Sequence, residues 1–246
     1  MAAPNPLDRP AFYALRPGGL RDLITLLHPP YTAWHLSYVA LGAVAAPKLH
    51  GDRLAATLLA FFLGVGVCAH ALDELNGRPL RTRLPDGVLI GLAAVALAGA
   101  VGIGIVGAAT VSTGLLPFIA VGAFIVVAYN LELFGGRFHS DAWFAAAWGA
   151  FPLLTGYVAQ AGALAAAAVL GAGFAFALSL AQRRLSTQAR HLRRRVLDVR
   201  GELRERDGSV TALSRETLIA PAEAALRLLT WATVALALAL VCARLS

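Results

Sequence analysis

The chain has 246 residues, of which 58% are hydrophobic and only 14% are charged. Soluble domains carry roughly 25% charged residues, so the composition excludes an ordinary soluble domain and indicates a polytopic membrane protein. The net charge of +7 does not indicate nucleic-acid binding, because the arginines gather beside apolar segments, as the positive-inside rule describes.

The first 30 residues are predicted to form a tail and a short helix on the membrane surface. Residues 1–17 are rich in proline and predict a loose segment. Residues 20–27 (LRDLITLL) have the pattern of an amphipathic helix that lies on the bilayer. His28-Pro29-Pro30 ends this helix and begins the first membrane span.

Seven apolar stretches predict an all-α bundle of membrane helices, because each is long enough to cross about 30 Å of hydrocarbon. Six of them, within residues 31–182, form the predicted core, and the seventh lies within residues 219–246. The abundant glycine and alanine favour close helix packing in lipid. The predicted spans are about 31–47, 54–72, 88–108, 115–131, 142–160, 161–181 and 220–243.

Residues 183–218 are predicted to form a basic amphipathic helix and a loop. Apolar residues recur every three or four positions and make a narrow stripe on an arginine-rich helix. Asp207-Gly208-Ser209 is expected to end this helix. The helix from Arg193 to Arg206 is interpreted as resting on anionic lipid headgroups, and a coiled-coil contact with a partner is the alternative. The members of the stripe are Leu185, Ala189, Leu192, Val196, Val199 and Leu203.

The distribution of arginine predicts an orientation in the plasma membrane. The N-terminus and residues 73–87, 132–141 and 183–218 are expected on the cytoplasmic side, and the C-terminus outside. The polar segments of the chain would then meet on one face of the membrane.

The first of these segments carries candidate metal and phosphate ligands. His70, Asp73 and Glu74 share one helix face at the end of the second span. Carboxylates placed there predict a divalent cation such as Mg²⁺. Asn76, Arg78 and Arg81 follow directly and are candidates for binding a phosphate. The plainer interpretation is that the acids pair with the arginines, which then only set the topology.

The second segment adds further candidates at the end of the fourth span. Glu132 follows the span directly, and an acid at that depth indicates function unless it is paired. Tyr129 is a second catalytic candidate, and Arg137 is a candidate either for pairing with Glu132 or for binding phosphate. His139 and Asp141 could join the first segment in a mixed histidine and carboxylate centre, which would favour a transition metal.

The third segment begins with Arg183 and Arg184, which are candidates for a phosphate-binding wall of the same site. The sequence contains no Gly-rich phosphate loop, no nucleophile elbow and no Cys/His zinc pattern.

Three of these motifs resemble the UbiA superfamily of intramembrane prenyltransferases over about residues 20–185. They are His28-Pro29-Pro30 before the first span, the acidic end of the second span with Gly77-Arg78-Pro79-Leu80, and the Tyr129 loop. Members of that family bind a prenyl diphosphate through Mg²⁺ held by two Asp-rich cytoplasmic loops. They transfer the prenyl group to an acceptor, and some relatives cyclise terpenes.

The resemblance implies roles for the candidate residues. Asp73 and Glu74 would hold the metal, and Arg78, Arg81 and Arg137 the diphosphate. Glu132, His139 or Asp141 would be second metal ligands or the base.

The chain also departs from the family pattern. Where the family has Asn-Asp-x-x-Asp, residues 69–73 read AHALD and keep only the last acid. The second Asp-rich motif is missing after the sixth predicted span, where residues 182–188 read QRRLSTQ. Members usually have nine spans.

The sequence therefore predicts a UbiA-like membrane prenyltransferase, or a terpene-cyclase-like enzyme, that acts on a prenyl diphosphate with a divalent metal at the cytoplasmic face. One alternative is a non-catalytic membrane protein that binds lipid or a partner through a UbiA-like fold. The other is a membrane enzyme with a histidine and carboxylate transition-metal site. Membrane lipids are expected partners in all three cases, and nucleic acid in none.

Overall fold

The computed structural model describes residue 7 and residues 9–246. Residues 1–6 and 8, part of the predicted tail, lie outside the described residues. In the described part of the chain, the last six of eight helices, α3 to α8, are long and apolar enough to cross a membrane. The helices are α1 (Leu20–Leu26), α2 (Pro29–Ala45), α3 (Gly51–Leu75), α4 (Asp86–Thr110), α5 (Thr113–Asn130), α6 (Asp141–Ala161), α7 (Ala166–Arg194) and α8 (Arg215–Leu245).

The six candidate spans confirm a helical membrane bundle, whereas the predicted count of seven spans is not confirmed, because α2 is not among them. The helix that replaces the predicted first span, α2, has 17 residues and is about 26 Å long. The middle of α3, Phe62–Ala69, is a π-helical stretch, and α6 contains a shorter one at Ala146–Ala150. A single helical turn, Leu133–Gly136, lies between α5 and α6.

The centre of the bundle is the contact between α2 and α6, in which the two backbones touch. A Cβ atom added to Gly42 would lie 2.0 Å from the carbonyl oxygen of Leu153. One added to Gly156 would lie 2.2 Å from the carbonyl oxygen of Val39. Only glycine permits this approach, as is common where membrane helices pack closely.

Buried hydrogen bonds join α2 to its neighbours at the same level. His35 Nδ1 lies 2.7 Å from the carbonyl oxygen of Trp148 in α6. Trp34 Nε1 donates to the Tyr38 hydroxyl at 2.6 Å, and Ser179 Oγ of α7 donates to the same hydroxyl at 3.2 Å. Polar groups that are paired in this way avoid the cost of burial in an apolar environment.

The loops form two groups, one at each end of the bundle. At the end predicted to face outside, His50 N donates to Gln160 Oε1 at 2.7 Å. Arg244, near the C-terminus, donates to the carbonyl oxygen of Ala46 at 2.8 Å. The segments predicted to face the cytoplasm lie together at the other end. Which side of the membrane each end faces stays a prediction.

The prediction of one basic helix over residues 183–206 is wrong beyond Arg194. The basic segment 183–194 is the continuous end of α7. Residues 201–204 and 210–213 instead form an antiparallel hairpin, β1 (Gly201–Arg204) and β2 (Val210–Leu213). Asp207 Oδ1 accepts from Ser209 N at 2.9 Å and Gly208 has φ 88°, so this tripeptide closes a hairpin turn rather than ending a helix.

The apolar stripe on the end of α7 packs inside the chain. Ala189 and Leu192 form a buried cluster with Ile219 and Leu226 of α8, and Leu185 and Val196 pack against it. These four members of the stripe are therefore covered by the chain itself. Beside this cluster, Arg193 makes a bidentate ion pair with Glu223, with both side chains at least 93% buried. The stripe and the ion pair fix α7 against α8.

The described part of the predicted loose tail is packed against the bundle. Ala14 is buried and contacts Leu80 in the loop after α3. The carbonyl oxygen of Pro10 accepts from Arg194 Nε at 3.1 Å. In α1, the predicted surface helix, Leu20 is 71% exposed while the Asp22 side chain is buried and accepts from Arg83 N at 3.1 Å. The described residues of the N-terminal segment therefore pack against the loop after α3 and the end of α7.

Replacing Gly156 by Ala should destabilise the protein by about 1–3 kcal/mol or more, because the new methyl group would overlap a backbone oxygen that cannot move aside. The measurement is the free energy of unfolding of the detergent-purified protein. Gly173→Ala is the matched control, since nothing lies within 4 Å of a Cβ there. Equal stabilities of the two variants would contradict a backbone contact between α2 and α6.

Candidate functional site

Glu74 organises the loop that follows α3. Its side chain is fully buried. Glu74 Oε2 accepts from Leu80 N at 2.9 Å, and Oε1 accepts from Thr82 N at 2.8 Å and from Thr82 Oγ1 at 2.9 Å. The bonds hold a loop in which Arg78 and Arg81 have positive φ angles of 54° and 57°. Such angles are uncommon for residues other than glycine, so Glu74 stabilises an otherwise unfavourable loop conformation.

The phosphate candidates of this loop are mostly engaged in loop contacts. Arg78 forms an ion pair with Asp86 and donates to the carbonyl oxygen of Leu84 at 2.6 Å. Asn76 Nδ2 donates to the carbonyl oxygen of Asn130 at 3.1 Å. Arg81 is exposed to solvent. Asn76 and Arg78 thus have structural contacts in the loop, but Arg78 pairs with Asp86 and not with Asp73 or Glu74 as the plainer interpretation expected.

Asp73, next to Glu74, faces the interior instead of the loop. Its carboxylate is close enough to Arg190, Arg194 and His139 to interact with their charges. Within the part of the chain that the structure describes, however, it makes no ion pair shorter than 4.0 Å and no side-chain hydrogen bond. The gap between this acid and the two arginines is the centre of the candidate site.

The residues around this gap form a half-buried group, named here the polar cluster. They come from the N-terminal segment, from the junction of α1 and α2, from the ends of α3 and α5, from the segment between α5 and α6, and from α7. Ring contacts and electrostatic interactions connect them. The members are Tyr13, His28, Tyr31, His70, Asp73, Tyr129, His139, Arg190 and Arg194.

Tyr13 and His28 form a neutral hydrogen-bonded pair on one side of the cluster. The Tyr13 hydroxyl lies 3.0 Å from His28 Nδ1, and the His28 ring stacks on His70 with 4.0 Å between centroids. Burial lowers the pKa of His28 well below its usual value, and the neighbouring His70 lowers it further. Burial also raises the pKa of Tyr13 well above its usual value. Both groups are therefore uncharged at neutral pH.

His28 also carries signs of functional strain. It has a left-handed backbone with φ 45°, a conformation that clusters at functional sites when it occurs outside glycine. Its Nε2 atom is buried and has no partner among the described residues. The hydroxyl of Tyr129, on the other side of the cluster, is likewise buried and unpartnered within the described chain. A bound group with oxygen atoms would satisfy both.

The arginines of the cluster follow from helix geometry. Arg183, Arg190 and Arg194 are spaced seven and four residues apart, which places them on one face of α7. Arg190 Nε donates to the carbonyl oxygen of Ser186 at 3.2 Å, and Arg194 Nε to that of Pro10. Neither guanidinium has a carboxylate within 4.0 Å among the described residues. At Arg190 and Arg194 this face of α7 therefore presents positive charge without a paired acid in the described chain.

The second predicted segment contributes Tyr129 and His139 to the cluster. Their rings stack at 4.5 Å, and His139 Nδ1 lies 3.1 Å from the carbonyl oxygen of Tyr129. Glu132 Oε1 lies 3.8 Å from His139 Nδ1, with its side chain 53% exposed. Arg137 is exposed. Glu132 and Arg137 thus lie at the rim rather than inside.

The two candidate arginines of the third predicted segment also differ in their distance from the polar cluster. Arg183 binds Asp141 at 3.0 Å and lies over the ring of Phe144, at the edge of the cluster. Arg184 is exposed and points away from this face. Of the two predicted wall residues, only Arg183 lies near the site.

The predicted metal ligands do not come together as a set. Among the described residues, no group of three or more His, Cys, Asp or Glu side chains is placed to hold a metal ion. Both oxygens of Glu74 accept hydrogen bonds from the loop, and Asp141 is paired with Arg183. The residues therefore do not fit a metal held jointly by Asp73 and Glu74. The Mg²⁺ and transition-metal sites stay predictions.

Five cluster residues were not among the predicted site residues. Tyr13 and Tyr31 had no recognisable signal, because the N-terminal segment reaches the site only through folding, and His28 was noted only as part of the His28-Pro29-Pro30 motif. Arg190 and Arg194 did have one: their spacing from Arg183 sets them on a different face of the helix from the apolar stripe.

Compared with protein-family models, curated proteins and solved structures, the chain has no match. The resemblance to the UbiA superfamily therefore stays a prediction.

Glu74→Gln should destabilise the protein by about 1–3 kcal/mol, because an amide NH₂ would face backbone donors that now bind a carboxylate oxygen. Asp73→Asn is the matched control, since that carboxylate has no direct partner in the described chain, and it should change stability by less than about 0.5 kcal/mol. The measurement is chemical unfolding in detergent. A greater loss of stability in the Asp73 variant would contradict the division of roles.

The stability of the protein should fall as the pH drops below about 6.5, the ordinary pKa of histidine. The unfolded chain binds a proton at His28 there, whereas the folded chain, in which the pKa is lowered, does not. The contribution of His28 to this loss is at most about 1.4 kcal/mol per pH unit.

His28→Asn should remove this contribution while tolerating the left-handed backbone. The measurement compares unfolding free energies at about pH 7 and about pH 5. The exposed His191→Asn is the control. The same pH dependence in His28→Asn and in the unsubstituted protein would show that His28 is not buried in its neutral form.

Proposed function

We propose that this integral membrane protein binds the phosphate group of a lipid at the polar cluster, with prenyl diphosphates as the first candidates. The observation that carries the proposal is the pair Arg190 and Arg194, which face Asp73 without a carboxylate in contact with either guanidinium in the described chain. Burying a positively charged group costs free energy unless an anion lies close enough to pair with it. A bound phosphate would supply that anion.

The remaining contacts of the cluster favour a phosphate over a simple carboxylate. Guanidinium groups bind phosphate oxygens bidentately. Two further buried polar atoms, His28 Nε2 and the Tyr129 hydroxyl, lack partners among the described residues. A phosphate or diphosphate offers enough acceptor oxygens for all four side chains. Asp73 would accept a hydrogen bond from a protonated phosphate oxygen or from a second substrate.

The enzymatic form of the proposal is prenyl transfer or cyclisation, as the resemblance implies. The allylic carbon–oxygen bond would break with its electron pair leaving on the diphosphate, whose charge Arg190 and Arg194 would stabilise. The carbocation would be quenched by a carbon or oxygen nucleophile of the acceptor, whose proton would pass to Asp73. The ring faces of Tyr129 and Phe144 would shield the carbocation.

A non-catalytic lipid-binding protein is the second candidate, and the geometry of Glu74 favours it. The family chemistry relies on paired acids, whereas here one of the two acids holds a loop. Release of pyrophosphate from a panel of prenyl diphosphates, measured with Mg²⁺ and with a chelator, separates the two. Release that Asp73→Asn abolishes supports the enzyme, and tight binding without release supports the binding protein.

Arg190→Gln should lower the affinity of the purified protein for farnesyl diphosphate about tenfold or more, because a hydrogen bond to a charged group contributes about 1.5–3 kcal/mol. Arg184→Gln makes the same change on the exposed side of α7 and should have little effect. The measurement is equilibrium binding of radiolabelled farnesyl diphosphate. Equal affinities of the two variants, both folded, would overturn the proposed site.

A further inference from the structure

A second, apolar cavity lies in the half of the bundle opposite the polar cluster. It has a volume of about 710 Å³, is lined by α3, α4, α5 and α6, and is partly open to the exterior. Along α3 it extends from Asp52 to Val65, which is about 20 Å of helix. Its volume lies within the range of about 300–1,000 Å³ that is typical of small-ligand pockets.

Part of the wall lacks a side chain at Gly102, which leaves space unfilled there. A Cβ atom added to Gly102 would meet nothing within 4 Å. Apolar side chains such as Leu97 and Ile119 line most of the remaining wall. A large apolar space of this kind does not hold ordered water. The other wall glycines are Gly64, Gly99, Gly104, Gly107 and Gly122.

The two ends of the cavity differ in chemistry. One end carries the neighbouring charges of Asp52 and Arg53, and Arg53 is fixed by a 3.0 Å hydrogen bond to the carbonyl oxygen of Gln160. The other end is closed by Trp148, which is 95% buried. The Trp148 ring packs against that of Tyr129, with 5.6 Å between centroids. Trp148 thus separates the cavity from the polar cluster.

We infer that this cavity binds one acyl chain of a zwitterionic phospholipid, at a site distinct from the polar cluster. The chain would enter from the end that carries Asp52 and Arg53 and extend to Trp148. The phosphate of the headgroup would contact Arg53, and its cationic group would contact Asp52. The inference depends on the cavity and its charged end, and it does not rest on the proposed function.

The test uses the full chain reconstituted in phosphatidylcholine vesicles that contain a small fraction of phosphatidylcholine with a diazirine at the end of one acyl chain. After illumination, cross-linked peptides are identified by mass spectrometry. Labels are expected on the residues that line the closed end, among them Val126, Ala147 and Trp148. Labels confined to the lipid-facing surfaces of α4, α7 and α8 would overturn the inference.

Filling the cavity provides the matched comparison. Gly102→Leu should reduce labelling at the closed end severalfold, and Gly102→Ala should reduce it less. Gly173→Leu places the same side chain on α7, where a Cβ also meets nothing within 4 Å, and should leave labelling unchanged. Unchanged labelling in a folded Gly102→Leu protein would overturn the inference.

Binding of farnesyl diphosphate by the same variants distinguishes this site from the polar cluster. Gly102→Leu should leave that affinity unchanged. A joint loss of labelling and of farnesyl diphosphate binding would overturn a separate phospholipid site, because the cavity would then hold the tail of the same ligand.

Discussion

The direct backbone contact between α2 and α6 is the constraint on which the rest of the structure depends. Gly42 and Gly156 let the two helices approach until carbonyl oxygens lie where a methyl group would be, and the His35 ring bonds to the Trp148 carbonyl oxygen in the same interface. With α2 fixed at the centre, its first turn brings His28 into the polar cluster. Trp148, held on the other helix, closes the apolar cavity.

Two adjacent acids at the end of α3, Glu74 and Asp73, have different roles. Glu74 accepts hydrogen bonds from three donors of the following loop, and these bonds hold its carboxylate against that loop. Asp73 lies across a gap from Arg190 and Arg194, close enough to interact but without direct contact. A fully satisfied carboxylate stabilises a fold, whereas an unpaired one opposite unpaired cations marks a place for a ligand. The helix ensures this difference, because neighbouring residues point in different directions.

Six of the seven predicted membrane spans correspond to helices that length and hydropathy mark as membrane-spanning. The helix at the predicted first span, α2, is not one of them. The hairpin at residues 201–213 could not be predicted from the sequence, since Val199 and Leu203 continue the helical spacing of apolar residues that begins in α7. The candidate site was predicted in part: Asp73, Tyr129 and His139 do lie together. Tyr13 and His28 join them only through tertiary packing of the N-terminal segment. Arg194 was attributed to lipid headgroups with the rest of residues 193–206, and Arg190 was given no role of its own.

An experimental structure of the protein with farnesyl thiodiphosphate, a slowly reacting analogue, tests the central claim most directly. The account predicts phosphorus density between Asp73, Arg190 and Arg194, with phosphate oxygens within hydrogen-bond distance of both guanidinium groups and near His28 Nε2. Density at the exposed loop beside Arg81 and Arg137, with the polar cluster unchanged, would contradict it.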